Sequence, residues 1–124
     1  ERAVFLATEH LVSVEGWTLT RDCQKDGCGY DFEFEKDGRI IHAEVKGIGK
    51  SSLAFNLTDY EWDRVLNDPL FLVVAVTDVL DDDCFEIHFL RRDQITGAQA
   101  RATQYRVSFD NLALTAKLTA KSVD

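Results

Sequence analysis

The sequence has few cysteines, one proline and no long apolar run, which argues against a disulfide-rich secreted protein, a chain with proline-rich linkers and a membrane-spanning protein. Three cysteines among 124 residues are an odd number, which argues against a secreted disulfide framework and favours a reducing, cytoplasmic compartment. The longest apolar run, Leu70–Val76, is far shorter than the roughly 18 residues of a membrane span, so we expect no membrane partner. The single proline favours one domain without linkers over residues 1–124. The chain lacks an initiator methionine and starts inside a helical pattern, so we expect a fragment of a larger multidomain protein.

Positive charge is also scarce. The 14 basic residues face 22 acidic ones, which gives a net charge of −8. This balance argues against a domain that holds nucleic acid by surface charge alone. Residues 51–88 are strongly acidic, whereas residues 89–124 are net basic. The basic segment has two interpretations, a local contact with a phosphate backbone or an ordinary solvated face.

Helical and strand periodicities alternate along the chain and predict an α/β fold. Residues 1–15 predict a largely buried helix that ends at Gly16, with an apolar stripe of Val4, Ala7, Leu11 and Val14 that Phe5 and Val12 widen. Strands are predicted over residues 17–22, 30–36, 39–46, 70–78 and 84–90, and a capping-box pattern predicts a helix from residue 58 to about 66. The resulting order is α-β-β-β-α-β, a mixed sheet flanked by helices, in which the second helix crosses over to a strand buried on both faces. C-terminal additions follow: a helical turn from Asp93, a strand over residues 105–109 and a last helix capped by Asp110 or Asn111.

The register of one hairpin carries the strongest functional signal. Asp37-Gly38 is a two-residue turn signal between the second and third strands. With that turn, Asp31 falls opposite Glu44 as a non-hydrogen-bonded pair, whose side chains stand closest. Two carboxylates that close repel each other, and a bound divalent cation is the simplest reason for them to coexist. Lys46 falls on the same face of the strand as Glu44, because side chains alternate with period two.

This constellation is typical of metal-assisted phosphodiester hydrolysis. Asp31 and Glu44 would hold Mg²⁺ or Mn²⁺, which polarises a phosphoryl oxygen and lowers the pKa of a bound water. Lys46 would orient the attacking water or neutralise charge in the transition state. The alternative is a surface hairpin with solvated charges and a slipped register.

Three motifs together resemble a known family. They are Gly29-Tyr30-Asp31, Ala43-Glu44-Val45-Lys46-Gly47 and Phe55-x-Leu57-Thr58-x-x-Glu61-Trp62, followed by a Val-rich strand. Over about residues 1 to 90 the chain is similar to the NO VEIN carboxy-terminal domain family, a domain of unknown function assigned to the PD-(D/E)xK restriction-endonuclease-like superfamily. The superfamily's proline before the aspartate is replaced here by Tyr30.

The resemblance implies a PD-(D/E)xK endonuclease-like core and a catalytic set of Asp31, Glu44 and Lys46. It also implies the backbone carbonyl of Val45 as a further metal ligand, and superfamily members often use a glutamate of the first helix, here Glu1, in the same way. For Glu1 the alternative is a solvated or helix-capping residue.

The function implied is a Mg²⁺- or Mn²⁺-dependent nuclease, for which DNA is the favoured substrate and RNA the alternative. Such domains often sit on larger ATPase, helicase or restriction and defence proteins, so other domains of the same polypeptide are expected partners, and a homo-oligomer is left open. The alternative function is a non-catalytic nucleic-acid or protein interaction module on a nuclease scaffold.

The remaining polar candidates have simpler structural interpretations. Glu61 is expected to be the capping-box partner of Thr58. His42 is expected to be a half-exposed strand residue opposite Glu33. Cys23 and Cys28 lack a second cysteine pair, which argues against a zinc site. Cys84 is expected to fill a strand.

Overall fold

The computed structural model describes residues 1–101 and 106–109. Helix α1 spans Arg2–Glu9 and continues into a π-helical turn, His10–Val14. The other helices are α2, Asp59–Asn67, and α3, Arg92–Thr96. The strands are β1 (Thr18–Asp22), β2 (Phe32–Lys36), β3 (Arg39–Gly47), β4 (Ala54–Asn56), β5 (Phe71–Thr77), β6 (Glu86–Arg91), β7 (Gln99–Arg101) and β8 (Arg106–Ser108). No helix in the described part of the chain has the length and apolar content needed to span a bilayer.

Five strands form a mixed sheet in the order β1-β2-β3-β5-β6. Strands β3 and β5 are parallel, and the other neighbours are antiparallel. Helix α2 lies between β3 and β5 in the chain, so it forms the crossover that a parallel pair requires. All seven residues of β5 are buried, as the apolar run predicts for an interior strand. The predicted mixed α/β fold is therefore observed.

The β2–β3 hairpin has the predicted register. Lys36 pairs with Arg39 across the turn, and the ladder continues to Phe32 opposite Ala43. Both turn residues, Asp37 and Gly38, have positive φ, as expected for a turn that matches the twist of its strands.

Two hydrophobic clusters cover the two faces of the sheet. One face packs against α1 and buries Phe32, Phe34, Val45, Val74 and Val76 with Ala3, Ala7 and Leu11. The other face buries Tyr30, Val73 and Ala75 with Val65 of α2, Ile95 of α3 and Val107 of β8. Because residues of β5 alternate between the clusters, the strand is a core element on both sides.

The first helix has part of its predicted buried face. Ala7 and Leu11 of the predicted stripe are buried, together with Ala3, and Val4 packs partly buried against them. The prediction is wrong for Phe5 and Val12, which are 58% and 43% exposed, and for Val14, which is also exposed. The π-helical turn adds a residue to the turn that it occupies, which rotates the residues after His10 relative to an α-helical stripe. The helix still ends before Gly16, whose φ is 80°.

The structure adds a strand where the sequence predicted none. The segment after β3 contains the short strand β4, which pairs with β8 in a separate three-stranded sheet of order β4-β8-β7. The prediction for Cys84 is wrong, because Cys84 is exposed and precedes β6 rather than filling it. The helical turn near Asp93 and the strand over residues 105–109 correspond to α3 and β8, whereas Asp110 and Asn111 lie outside the described residues.

Candidate functional site

Strand β3 places Glu44 and Lys46 on one face of the sheet, opposite the face of Ala43 and Val45. Ala43 and Val45 belong to the cluster beneath α1, so period-two alternation turns Glu44 and Lys46 toward α2. The side chain of Glu44 is enclosed there, and the residue is only 6% exposed. A carboxylate with so little access to water requires nearby compensation.

Asp31 lies immediately before β2, one position beyond the end of the β2–β3 ladder. Its backbone N–H donates to the carbonyl oxygen of Ala43 at 3.0 Å. Its side-chain Oδ2 accepts from the backbone N–H of Val45 at 2.9 Å. The side chain therefore holds the backbone of β3 itself, and Asp31 and Glu44 do not form the regular ladder pair expected from the register.

Lys46 joins two acidic side chains. Its Nζ lies 3.3 Å from Oε2 of Glu44 and 2.9 Å from Oε1 of Glu61. The ammonium is therefore fixed between strand β3 and helix α2 rather than free in solution.

Glu61 is the site residue that the sequence interpretation missed. Its predicted capping role is confirmed: the backbone N–H of Thr58 donates to Glu61 Oε1 at 3.0 Å, and the backbone N–H of Glu61 donates to Thr58 Oγ1 at 3.2 Å. The same Oε1 also accepts from Lys46. The capping-box motif predicts the position of Glu61 on α2. It does not predict which strand residue Glu61 contacts.

The pKa values of the two β-strand carboxyls reflect this enclosure. Burial, reinforced by the negative charge of Asp31, raises the pKa of Glu44 to about 9. Burial also raises the pKa of Asp31, although the hydrogen bond from Val45 and the charge of Lys46 oppose the shift. Without a cation, burial and the charge of Asp31 therefore favour the protonated form of Glu44.

The pKa values of the Lys46–Glu61 pair move in the opposite sense. Burial would lower the pKa of Lys46, but Glu44 and Glu61 outweigh it and raise the pKa. Burial would raise the pKa of Glu61, but the hydrogen bonds from Lys46 and Thr58 lower it. The pair is therefore an ammonium and a carboxylate at neutral pH.

Glu1 caps the first helix, which was the alternative to a ligand role. Its Oε1 accepts from the backbone N–H of Ala3 at 2.7 Å and of Val4 at 3.4 Å. Burial is the main cause of the raised pKa of Asp31, and the charge of Glu1 adds to it. Gly47 allows this approach of α1 to β3, since a Cβ on it would lie only 2.9 Å from Cβ of Ala3.

The carboxylates open into a cleft of about 190 Å³ between the residue 23–31 loop and the start of α2. Asp31, Glu44 and Glu61 line it. A larger cleft of about 560 Å³ lies at the other end of β3, beside Gly38 and Pro69, and is lined by none of these carboxylates. Of these two clefts, the smaller one holds the predicted carboxylates and is the candidate site.

His42, two residues before Glu44, is occupied by structural contacts. Its ring stacks on Tyr30 with centroids 4.2 Å apart. Its Nδ1 lies 2.6 Å from Oδ2 of Asp68. As predicted, His42 pairs with Glu33 in the ladder and is only partly exposed.

Comparison with known proteins gives one family. The family model described as Protein NO VEIN, C-terminal matches residues 1–90, which include the hairpin, α2, β5 and every residue of the cleft named above. Neither the curated proteins nor the solved structures contain a significant match to the chain.

Proposed function

The chain belongs to the NO VEIN C-terminal family, and from that premise and the cleft geometry we propose that it is a metal-dependent nuclease domain of the PD-(D/E)xK type. The observation that carries the proposal is that Asp31 and Glu44 line one cleft, while Nζ of Lys46 lies 3.3 Å from Oε2 of Glu44. Two carboxylates and a lysine are the groups that metal-assisted phosphodiester hydrolysis needs.

The donor set fits a hard divalent cation. Asp31 and Glu44 offer carboxylate oxygens, the ligand type that Mg²⁺ and Mn²⁺ prefer. Their raised pKa values show that the folded chain disfavours negative charge at both positions, and a cation would remove that penalty. We propose the Val45 carbonyl and Glu1 as further ligands, the latter at the cost of its helix cap. When bound, the ion would polarise the phosphoryl group and acidify a water.

Lys46 is the residue of this chain that would bring a positive charge to the proposed reaction. Fixed by Glu61, its ammonium would stabilise negative charge developing on the phosphoryl oxygens without having to reorganise. Since a protonated amine cannot ligate a cation, Lys46 would act beside the metal and not on it.

The proposed substrate is a nucleic acid, with DNA favoured over RNA, delivered by other parts of a larger restriction, defence or helicase-type protein. The net charge of −8 leaves this domain without the cationic surface that supplies most non-specific affinity for a phosphate backbone. The same charge is the observation that favours the second candidate, a non-catalytic interaction module on a nuclease scaffold.

Single-turnover cleavage of labelled DNA and RNA tests the proposal. Wild type, Glu44→Gln and Lys46→Met are compared in Mg²⁺, Mn²⁺ and EDTA, with Glu35→Gln and Lys36→Met as matched controls outside the cleft. We expect metal-dependent cleavage by wild type and by both controls, and its loss in Glu44→Gln and Lys46→Met. Only Glu44→Gln should also lose metal binding.

Two outcomes contradict the proposal. Equal cleavage by all variants identifies a contaminant or another site. If no substrate is cut while nucleic acid is still bound, the interaction module is favoured.

A further inference from the structure

The residue 23–28 loop brings two thiols and a carboxylate together outside the proposed nuclease centre. Sγ of Cys23, Sγ of Cys28 and a carboxylate oxygen of Asp26 all lie within 4.8 Å of one another. Cys23 is buried, Cys28 is half-buried and both are free thiols. We propose that these three residues form a site for a thiophilic divalent cation of the Zn²⁺ class, with a fourth coordination position open to solvent.

The spacing of the donors suits such an ion. With metal–sulfur bonds of about 2.3 Å and metal–oxygen bonds of about 2.1 Å, the ligand atoms of a tetrahedral site lie roughly 3.5 to 3.8 Å apart. The observed spacing, within 4.8 Å, exceeds that range by about 1 Å at most. Asp26 is exposed, so its side chain has room to move toward the two thiols. Three protein ligands with an open position are the usual complement of a non-structural zinc site.

The loop is held at both ends, so the donors are already close before an ion binds. The backbone N–H of Cys23 donates to the carbonyl oxygen of Asp31 at 2.7 Å, and that of Asp26 donates to the carbonyl oxygen of Cys23 at 3.0 Å. Nε of Arg64 on α2 donates to the carbonyl oxygen of Cys28 at 2.8 Å. The cost of ordering the ligands is therefore met largely by folding.

The charges balance when an ion is bound. Two thiolates and one carboxylate carry three negative charges, so binding a divalent cation leaves a net charge of −1. Arg21 supplies the last positive charge, since its Nη2 lies 3.3 Å from Oδ2 of Asp26. Binding would release the two thiol protons to solvent.

The site differs in chemistry from the proposed nuclease centre, although Cys23 and Cys28 line the same cleft as Asp31 and Glu44. Sulfur ligands favour zinc-class ions, whereas an all-oxygen pair favours Mg²⁺ or Mn²⁺. The sequence argued against zinc because it has no second cysteine pair, and the fold adds Asp26 as the missing donor. This proposal does not depend on nuclease activity.

Cobalt substitution tests the site, because thiolate-to-Co²⁺ charge-transfer absorption reports sulfur ligation and is silent for oxygen sites. The reduced, chelator-treated chain is titrated with Co²⁺ and then with Zn²⁺, as wild type, Cys28→Ser, Asp26→Asn and the matched control Cys84→Ser. We expect a stoichiometric charge-transfer band in wild type and Cys84→Ser that Zn²⁺ removes. Cys28→Ser should lose the band, and Asp26→Asn should weaken binding at least about tenfold, which is the loss typical of even an outer-shell partner.

A Glu44→Ala chain separates the two proposals. It should keep the band unchanged, whatever its effect on cleavage. Absence of the band in folded, reduced wild type would overturn the zinc-class site. So would a band that depends on Cys84 rather than Cys28, or a Cys23–Cys28 disulfide that persists in mild reductant.

Discussion

Lys46 and Glu61 form an ion pair, 2.9 Å from Nζ to Oε1, through the same carboxylate oxygen that completes the capping box with Thr58. The first turn of α2 is therefore tied to the central strand β3 through Glu61, a residue of the capping box that begins the helix. Local helix chemistry and the position of the candidate catalytic ammonium depend on one atom.

The first prediction follows from that shared atom. Glu61→Gln keeps an oxygen that can accept from Thr58, so the helix should still begin normally and thermal stability should change little. The charge that fixes Lys46 is lost, and an ammonium displaced by about 1 Å can lower a rate by about a hundredfold. Single-turnover cleavage and thermal melting measure the two effects, with Glu35→Gln as the control. A large loss of stability with normal cleavage per folded molecule would contradict it.

The second prediction concerns pH. The pKa of Glu44 is raised from 4.5 to about 9 in the folded chain, so the folded state binds a proton that the unfolded state releases. This stabilisation is complete below about pH 4.5 and is lost as pH rises toward 9. In EDTA, Glu44→Gln should therefore gain stability relative to wild type as pH rises, by at most about 1.4 kcal/mol per pH unit. Urea unfolding at several pH values measures it, and parallel profiles for the two proteins would contradict it.

The third prediction concerns the metal. Mg²⁺ or Mn²⁺ should stabilise wild type, because the ion binds only the folded site, by about 2.7 kcal/mol at a hundredfold excess over Kd. Asp31→Asn keeps an acceptor for the Val45 N–H but removes the charge, so its melting shift should disappear. Thermal melting in each ion against EDTA measures the shift, with Glu35→Gln as control. An equal shift in Asp31→Asn would place the ion elsewhere.

Short-range patterns were enough to predict the hairpin. The Asp37-Gly38 turn and strict alternation fixed its register, which the structure confirms as far as Phe32 and Ala43. The face shared by Glu44 and Lys46 followed from the same alternation. These features depend on neighbouring residues in one ladder, and a single sequence contains that information.

Features that depend on packing between distant elements could not be predicted in the same way. The contact of Lys46 with Glu61 requires the angle at which α2 lies on β3, and Asp31 leaves the ladder to bond the Val45 N–H. Neither the Lys46–Glu61 contact nor the Asp31–Val45 hydrogen bond follows from a short-range pattern in the sequence. The π-helical turn likewise rotates Val12 outward in a way that a uniform 3.6-residue period cannot describe.

The last prediction compares a buried residue of the sheet with a residue of the first helix that is exposed, contrary to the sequence prediction. Phe32 is 2% exposed within the cluster beneath α1, so Phe32→Ala should destabilise the chain by about 3–5 kcal/mol through lost contacts and a cavity. Phe5 was expected in the same core but is 58% exposed. Phe5→Ala should therefore cost no more than about 0.5 kcal/mol, as for an ordinary surface change. Urea unfolding of both variants measures the contrast, since equal losses would return Phe5 to the buried face that the sequence predicted.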